Sequence, residues 1–307
     1  EERCRGKHYA SMHRKTRYLL PALLLMLAGC SGLLLRPGAD ASVAAALPAG
    51  VSVAPGALRS ASGCSIRYRL FSPADDGGHD TAGDDLVVLA HGFLRSQDQM
   101  RDLAVALARS GVRVATLDFC NASPWDGGHV QNARDMKSLA RRLGARRVVY
   151  AGFSAGGLAA VIAARNDPAA IGVVTLDLVE TQGLGVRAAK GLGKPLLGLT
   201  GEPTNCNALD NGRAVLTAAD QARVHHIEGA GHCDFEAPSN RLCEMLCQDP
   251  DRDPGKRAAN DQPLPGPAQR QEIIASATLA VRSLLDGDPL AWPGDRRHWA
   301  QTAAGQG

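Results

Sequence analysis

A serine stands in Gly152-Phe153-Ser154-Ala155-Gly156, between an apolar run (Val148, Val149, Tyr150) and a stretch of small residues that starts at Gly157. A serine hydroxyl is a weak nucleophile at neutral pH. It attacks an acyl carbon only when an adjacent imidazole takes its proton. The chain offers that base late, at His232, directly after Gly229-Ala230-Gly231. His225 and His226 lie within or beside an apolar run and are weaker candidates. The imidazole in turn needs a carboxylate to orient it and to offset its charge after proton transfer. Three acids lie between serine and histidine at suitable places: Asp177, which closes Val174-Thr175-Leu176; Glu202, just after Leu199-Thr200; and Asp210, further into the same loop.

These side chains meet only if strands and helices carry them to one edge of a sheet. A strand ending at Phe153 and a helix starting after Ser154 make a sharp turn that lifts the hydroxyl clear of the sheet. Glycines flank the serine because side chains there would strike the facing backbone. The Ala155 N–H, in the first turn of the helix, has no intrahelical acceptor and is free to donate to an oxyanion. Leu86–Ala90, Val112–Phe119, Ile171–Leu176, Pro195–Thr200 and Arg223–Ile227 read as buried strands, and Arg67–Phe71 alternates weakly as an earlier one. Helical spacing marks Gln97–Arg109, Val130–Leu143 and Glu272–Leu285. Strands alternating with helices predict an α/β fold with a mostly parallel sheet covered on both faces. The stretch 181–193 is too short for a large lid domain.

The order serine, acid, histidine, the GFSAGG turn, the His91-Gly92-Phe93 loop, the Leu176-Asp177 pair and the GAGH loop resemble the α/β-hydrolase superfamily, and within it the chlorophyllase and platelet-activating-factor acetylhydrolase-like group. The resemblance spans roughly 64–285. It implies an α/β-hydrolase fold, hydrolysis of carboxylic esters or related acyl bonds through an acyl-serine, and no cofactor. It implies Ser154, His232 and Asp177 as the triad, with Glu202 the alternative acid. The amides of Phe93 and Ala155 would form the oxyanion hole. His91 is expected to be structural. The side chains of Phe93, Leu94 and Trp125 and the stretch 178–186 are the expected pocket lining. The same triad serves amidases, peptidases and dienelactone-type hydrolases, and a fold of this kind also occurs without activity.

The 307 residues are 45% hydrophobic and 21% charged, with a net charge of +3 and scattered arginines. That composition is globular and offers no nucleic-acid surface. The expected partner is a small-molecule or lipid ester, and the expected state is a monomer. From Met12 the chain reads as basic residues, then an apolar run of about ten, too short to span a bilayer. The run ends in Leu27-Ala28-Gly29-Cys30, which resembles the lipobox of bacterial lipoproteins and implies a lipid anchor on Cys30 and a site in the cell envelope, on the periplasmic side of the outer membrane. The expected layout is upstream read-through over 1–11, a signal peptide over 12–29, a tether over 30–56, the catalytic domain over 57–290 with a charged, proline-rich loop near 249–267, and a tail over 291–307. Besides Cys4 and Cys30 the chain holds Cys64, Cys120, Cys206, Cys233, Cys243 and Cys247, an even set suited to disulfides in an oxidising compartment. At least one bridge is expected between 206 and 247. Zinc is the weaker reading of these cysteines, since no second paired knuckle follows, and no metal site is expected.

Overall fold

The computed structural model describes residues 49–74, 84–121, 128–238, Cys243, Cys247 and 267–293. The leader with Cys30, Trp125, the loop near 249–267 and the chain after 293 lie outside the described residues.

Eight strands form one sheet in the order β1-β2-β4-β3-β5-β6-β7-β8. They are β1 (Val51–Arg59), β2 (Ser65–Pro73), β3 (Asp85–Ala90), β4 (Val114–Leu117), β5 (Arg147–Phe153), β6 (Ala170–Leu176), β7 (Leu196–Thr200) and β8 (Ala222–His226). The β1–β2 and β2–β4 pairs are antiparallel and every other pair is parallel. The parallel strands read as unbroken apolar runs because both faces are covered. Along β5, Val148 and Tyr150 enter one core, and Val149, Ala151 and Phe153 enter the other. The first core is closed by α2 (His129–Arg142), α3 (Ala155–Arg165), α4 (Leu184–Ala189) and α5 (Arg213–Ala218). The second is closed by α1 (Arg101–Arg109) and α6 (Pro267–Leu285). Among the described residues no helix is long and apolar enough to cross a membrane.

Three local features differ from the sequence reading. The first strand starts at Val51, ahead of the boundary at 57 drawn from composition. Its Pro55 and Gly56 hide it from propensity rules, but it is an edge strand, where proline is tolerated. Gly56 faces Tyr68 across the pair, and a Cβ there would lie 2.2 Å from the ring. The helix expected from Gln97 begins as a 3₁₀ turn, Gln97–Met100, capped by Ser96, before α1. Trp292, in the stretch expected as a tail, is 1% exposed and donates from Nε1 to the Ser276 carbonyl at 3.0 Å.

β3 runs to β4 on one side, and the chain then crosses to β5 on the other. The carboxyl ends of β3 and β5 therefore adjoin at the point where strand order reverses, the usual seat of ligands in such sheets. Ala90 pairs with Gly152, which brings the loop after β3 beside Ser154.

Trp292→Ala should lower unfolding free energy by about 3–5 kcal/mol, the usual cost of emptying a buried aromatic site. Urea denaturation followed by circular dichroism checks this. A loss below about 1 kcal/mol would mean that the chain after α6 does not belong to the core.

Candidate active site

Ser154 occupies φ +55°, ψ −123°, a strained position that only the surrounding chain can hold. Its N–H donates to the Leu176 carbonyl at 2.9 Å, and its carbonyl accepts from Gly157 at 3.0 Å. The glycines around it answer to space. A Cβ on Gly152 would lie 2.4 Å from the Gly156 backbone, and one on Gly156 would lie 2.4 Å from the His91 carbonyl oxygen. A Cβ on Gly92 would touch the Ser154 Cβ at 3.0 Å. The turn thus packs against the loop after β3 with no room for a side chain between them.

His232 opens a 3₁₀ turn, His232–Phe235, in the loop after β8. β8 is separated from β5 by two strands, so the loop must run back across the sheet end. It does so over Gly201, where a Cβ would lie 2.4 Å from the Ala230 carbonyl oxygen, and it is pinned by Glu202 N–H donating to that oxygen at 2.8 Å. The ring arrives over Phe153, with centroids 4.6 Å apart. Its Nε2 is 3.2 Å from Ser154 Oγ and its Nδ1 is 2.5 Å from Asp177 Oδ2. With Nδ1–H donating to the carboxylate, the lone pair on Nε2 is left for the serine proton.

Asp177 ends β6 at φ +42° and is 1% exposed. Its charge is balanced by donors as well as by the imidazole. Gly201 N–H donates to Oδ1 at 3.1 Å, and the Asn207 amide nitrogen donates to Oδ2 at 3.1 Å. Asn207 is fully buried, and it also donates to the Glu202 carbonyl at 2.8 Å and accepts from Thr204 N–H at 2.7 Å and Asp210 N–H at 3.1 Å. Sequence reading passed over Asn207. The Thr204-x-x-Asn207 spacing of its capping turn signals a local turn and nothing of the carboxylate it serves.

The other acids serve elsewhere. Glu202 is about half exposed and accepts from Gly229 N–H at 2.9 Å, with His226 Nε2 at 3.2 Å; it fastens the turn before His232 without reaching that ring. Asp210 pairs with Arg213 at 2.8 Å. Burial pushes its carboxyl above the usual range, against the pull of Arg213. His91 is buried, which pushes its imidazole below the usual value. The neutral ring donates from Nδ1 to the Gly92 carbonyl at 2.6 Å and accepts the Phe119 N–H on Nε2 at 3.1 Å, fixing the loop after β3.

Phe93 lies on that loop with its ring 4.9 Å from the His129 ring. Leu94 follows at φ +57° and is 51% exposed. Leu178, expected in the pocket, is instead buried in the core beneath α3. Bridges join Cys64 to Cys120, Cys206 to Cys247 and Cys233 to Cys243. The sulfurs of Cys233, Cys243 and Cys247 lie within 4.8 Å of one another, but as disulfides they are not the thiolates a metal requires.

No protein-family model and no curated protein matches this sequence. Solved structures do. A ferulic acid esterase from Streptomyces cinnamoneus superposes with a TM-score of 0.54 at 18% identity, over 80% of this chain and 91% of that one. A dienelactone hydrolase from Anabaena variabilis gives 0.52 at 17% identity, over 77% and 98%. This chain has the α/β-hydrolase fold. A hypothetical protein from Pseudomonas aeruginosa shares it at 0.53 and 14% identity, over 69% and 93%. At such identity the likeness speaks for the fold alone. Within this fold the loops after β3, β5, β6 and β8 come together at one sheet edge, and they are the loops that carry Phe93, Ser154, Asp177 and His232.

Asp177→Asn should slow the reaction of Ser154 with a fluorophosphonate by about 10³-fold or more, since the amide N–H facing Nδ1 holds the imidazole in the wrong tautomer. Glu202→Gln should slow it by less than about tenfold, because only the turn at Gly229 is loosened. The reverse order would move the acid to Glu202.

Proposed function

We propose that the protein is a serine hydrolase that cleaves carboxylic esters through an acyl-serine intermediate. The observation that carries the reading is the chain of contacts from Asp177 to His232 to Ser154, at 2.5 and 3.2 Å, within a hydrolase fold. In this reading Ser154 Oγ attacks the ester carbonyl carbon while His232 Nε2 takes its proton. The negative charge that develops on the carbonyl oxygen is met by the amides of Ala155 and Phe93. Collapse breaks the bond to the alcohol, which leaves with the proton from Nε2. Water then repeats the sequence on the acyl-serine and restores the enzyme. Asp177 holds the ring throughout and stabilises its transient positive charge. The Oγ–Nε2 separation of 3.2 Å suits a resting site that tightens when substrate is bound.

The substrate class is a small carboxylic ester. The likeness to an esterase and to a dienelactone hydrolase supports acyclic esters first and lactones second on the same machinery. We propose too that the chain is exported and lipidated at Cys30. The basic leader, the short apolar run and the Leu27-Ala28-Gly29-Cys30 sequence support this, as do the disulfides, which persist in oxidising compartments.

Wild-type protein should hydrolyse p-nitrophenyl acetate or butyrate and take up one fluorophosphonate on Ser154. Ser154→Ala should lose the label and slow turnover by about 10³-fold or more. Folded, disulfide-intact protein with neither label nor turnover would leave a non-catalytic envelope protein as the reading. Mass spectrometry of the mature chain should find acylated Cys30 at its start; an unmodified Cys30 or a retained Met12 would refute the anchor.

A further inference from the structure

The loop after β3 and the turn after β8 are tied together by a buried ion pair outside the triad. Arg95 Nε donates to Glu236 Oε1, with side-chain exposures of 6% and 0%. Arg95 lies two residues beyond Phe93, and Glu236 lies at the end of the turn that His232 opens. Arg95 Nη1 also donates to the Leu94 carbonyl at 3.3 Å, bracing the left-handed bend that follows Phe93. Just behind the pair the same two segments are joined through their main chains: Ala237 N–H donates to the Gln99 carbonyl at 2.8 Å, and Asp102 N–H donates to the Ala237 carbonyl at 2.9 Å.

The pair is ill suited to be a mere stabiliser. Among the described residues Glu236 Oε2 is buried with no hydrogen-bond partner, so there the carboxylate is only half satisfied. Burial pushes its carboxyl above the usual range, and Arg95 and the nearby His232 pull it back. A buried pair in that condition contributes little to folding relative to apolar residues of the same size. Its place explains it better than its strength. The main-chain bonds at Ala237 fix the outer ends of the two segments, and the ion pair fixes the ends nearest Phe93 and His232.

We propose that Arg95 and Glu236 are positioning residues for the ester hydrolysis argued above, holding the Phe93 amide at the spacing from His232 that the tetrahedral intermediate requires. The proposal rests on that reading of Ser154. Neither residue touches the reacting atoms. Arg95 acts through Leu94 and Phe93, and Glu236 acts through Arg95 and the turn of His232. Removing an oxyanion donor outright costs about 10²–10³-fold in kcat, so misplacing one should cost about tenfold or more.

The test is Arg95→Met/Glu236→Leu, which replaces the charges with apolar side chains of similar length and should keep or raise Tm. The expected result is kcat for p-nitrophenyl butyrate down by about tenfold or more, KM within about threefold, and faster amide hydrogen exchange in peptides spanning 91–96, with exchange in α3 unchanged. Glu236→Leu alone, which removes the acceptor of Arg95 Nε, should show the same split with a lower Tm; it carries the test if the double variant does not fold. Wild-type kcat and wild-type exchange over 91–96 in a folded variant would overturn the proposal. Faster exchange over 91–96 in a protein whose wild type hydrolyses no ester would leave the bridge standing and refute the ester reading alone.

Discussion

A carboxylate with 1% exposure just after β6 is the constraint around which the candidate site is built. Asp177 cannot sit there as a lone charge, because an unpaired buried carboxylate costs many kcal/mol. It stays useful only if donors converge on it. One is the Gly201 amide after β7, one is the Asn207 side chain in the following turn, and one is the His232 ring after β8. The demand of one side chain therefore fixes the course of two later loops. Gly201 has no side chain because the loop bearing His232 passes directly over it. Asn207 is fully buried because its amide must reach the carboxylate while its other contacts close the turn that holds it.

The disulfides add a covalent frame to the same loops. Cys206 precedes Asn207, and Cys233 follows His232. Their partners, Cys247 and Cys243, are joined by a main-chain bond of 2.8 Å, the Cys247 N–H donating to the Cys243 carbonyl. Cys243 and Cys247 thus anchor the loop that holds Asn207 against Asp177 and the turn that carries His232. Loops have few buried apolar contacts of their own, so cross-links restrict them where packing cannot. The cost of ordering these two loops is met largely in the unfolded chain, whose freedom the bridges reduce.

Legibility in the sequence follows the range of the interaction. The parallel strands could be read because alternate residues fill two cores, which leaves unbroken apolar runs. Ser154 could be read because its turn is a local solution: two glycines spaced around one serine between a strand and a helix. Asp177 and His232 stood out by ending strands or following them, and the structure brings both to Ser154. What local pattern could not show was anything set by a partner far along the chain. Asn207 looks like a turn residue until Asp177 lies above it. Phe153 looks like strand filler until the His232 ring rests on it. Arg95 and Glu236 are 141 positions apart, and nothing near either one announces the other. Strand β1 was obscured by Pro55 and Gly56, which only its edge position and the Tyr68 ring make acceptable.

Backbone strain follows the same geography. Apart from Gln182, the non-glycine residues with positive φ among the described residues are Leu94, Ser154, Asp177 and the run Ala208-Leu209-Asp210. Each of these costs on the order of 1–3 kcal/mol and persists only where neighbours over-determine it. Leu94 is held by Arg95, Ser154 by the packed glycines, Asp177 by its donors, and the 208–210 run by Asn207 and the Arg213 contact to Asp210. The same side chains that orient Asp177 and His232 hold the strained backbone beneath them. A substitution that loosens one of them therefore releases strain and shifts the Ser154, Asp177 and His232 constellation in a single step. For that reason side chains such as Asn207, Arg95 and Glu236 are expected to matter for the Ser154–His232–Asp177 geometry although none of them belongs to it.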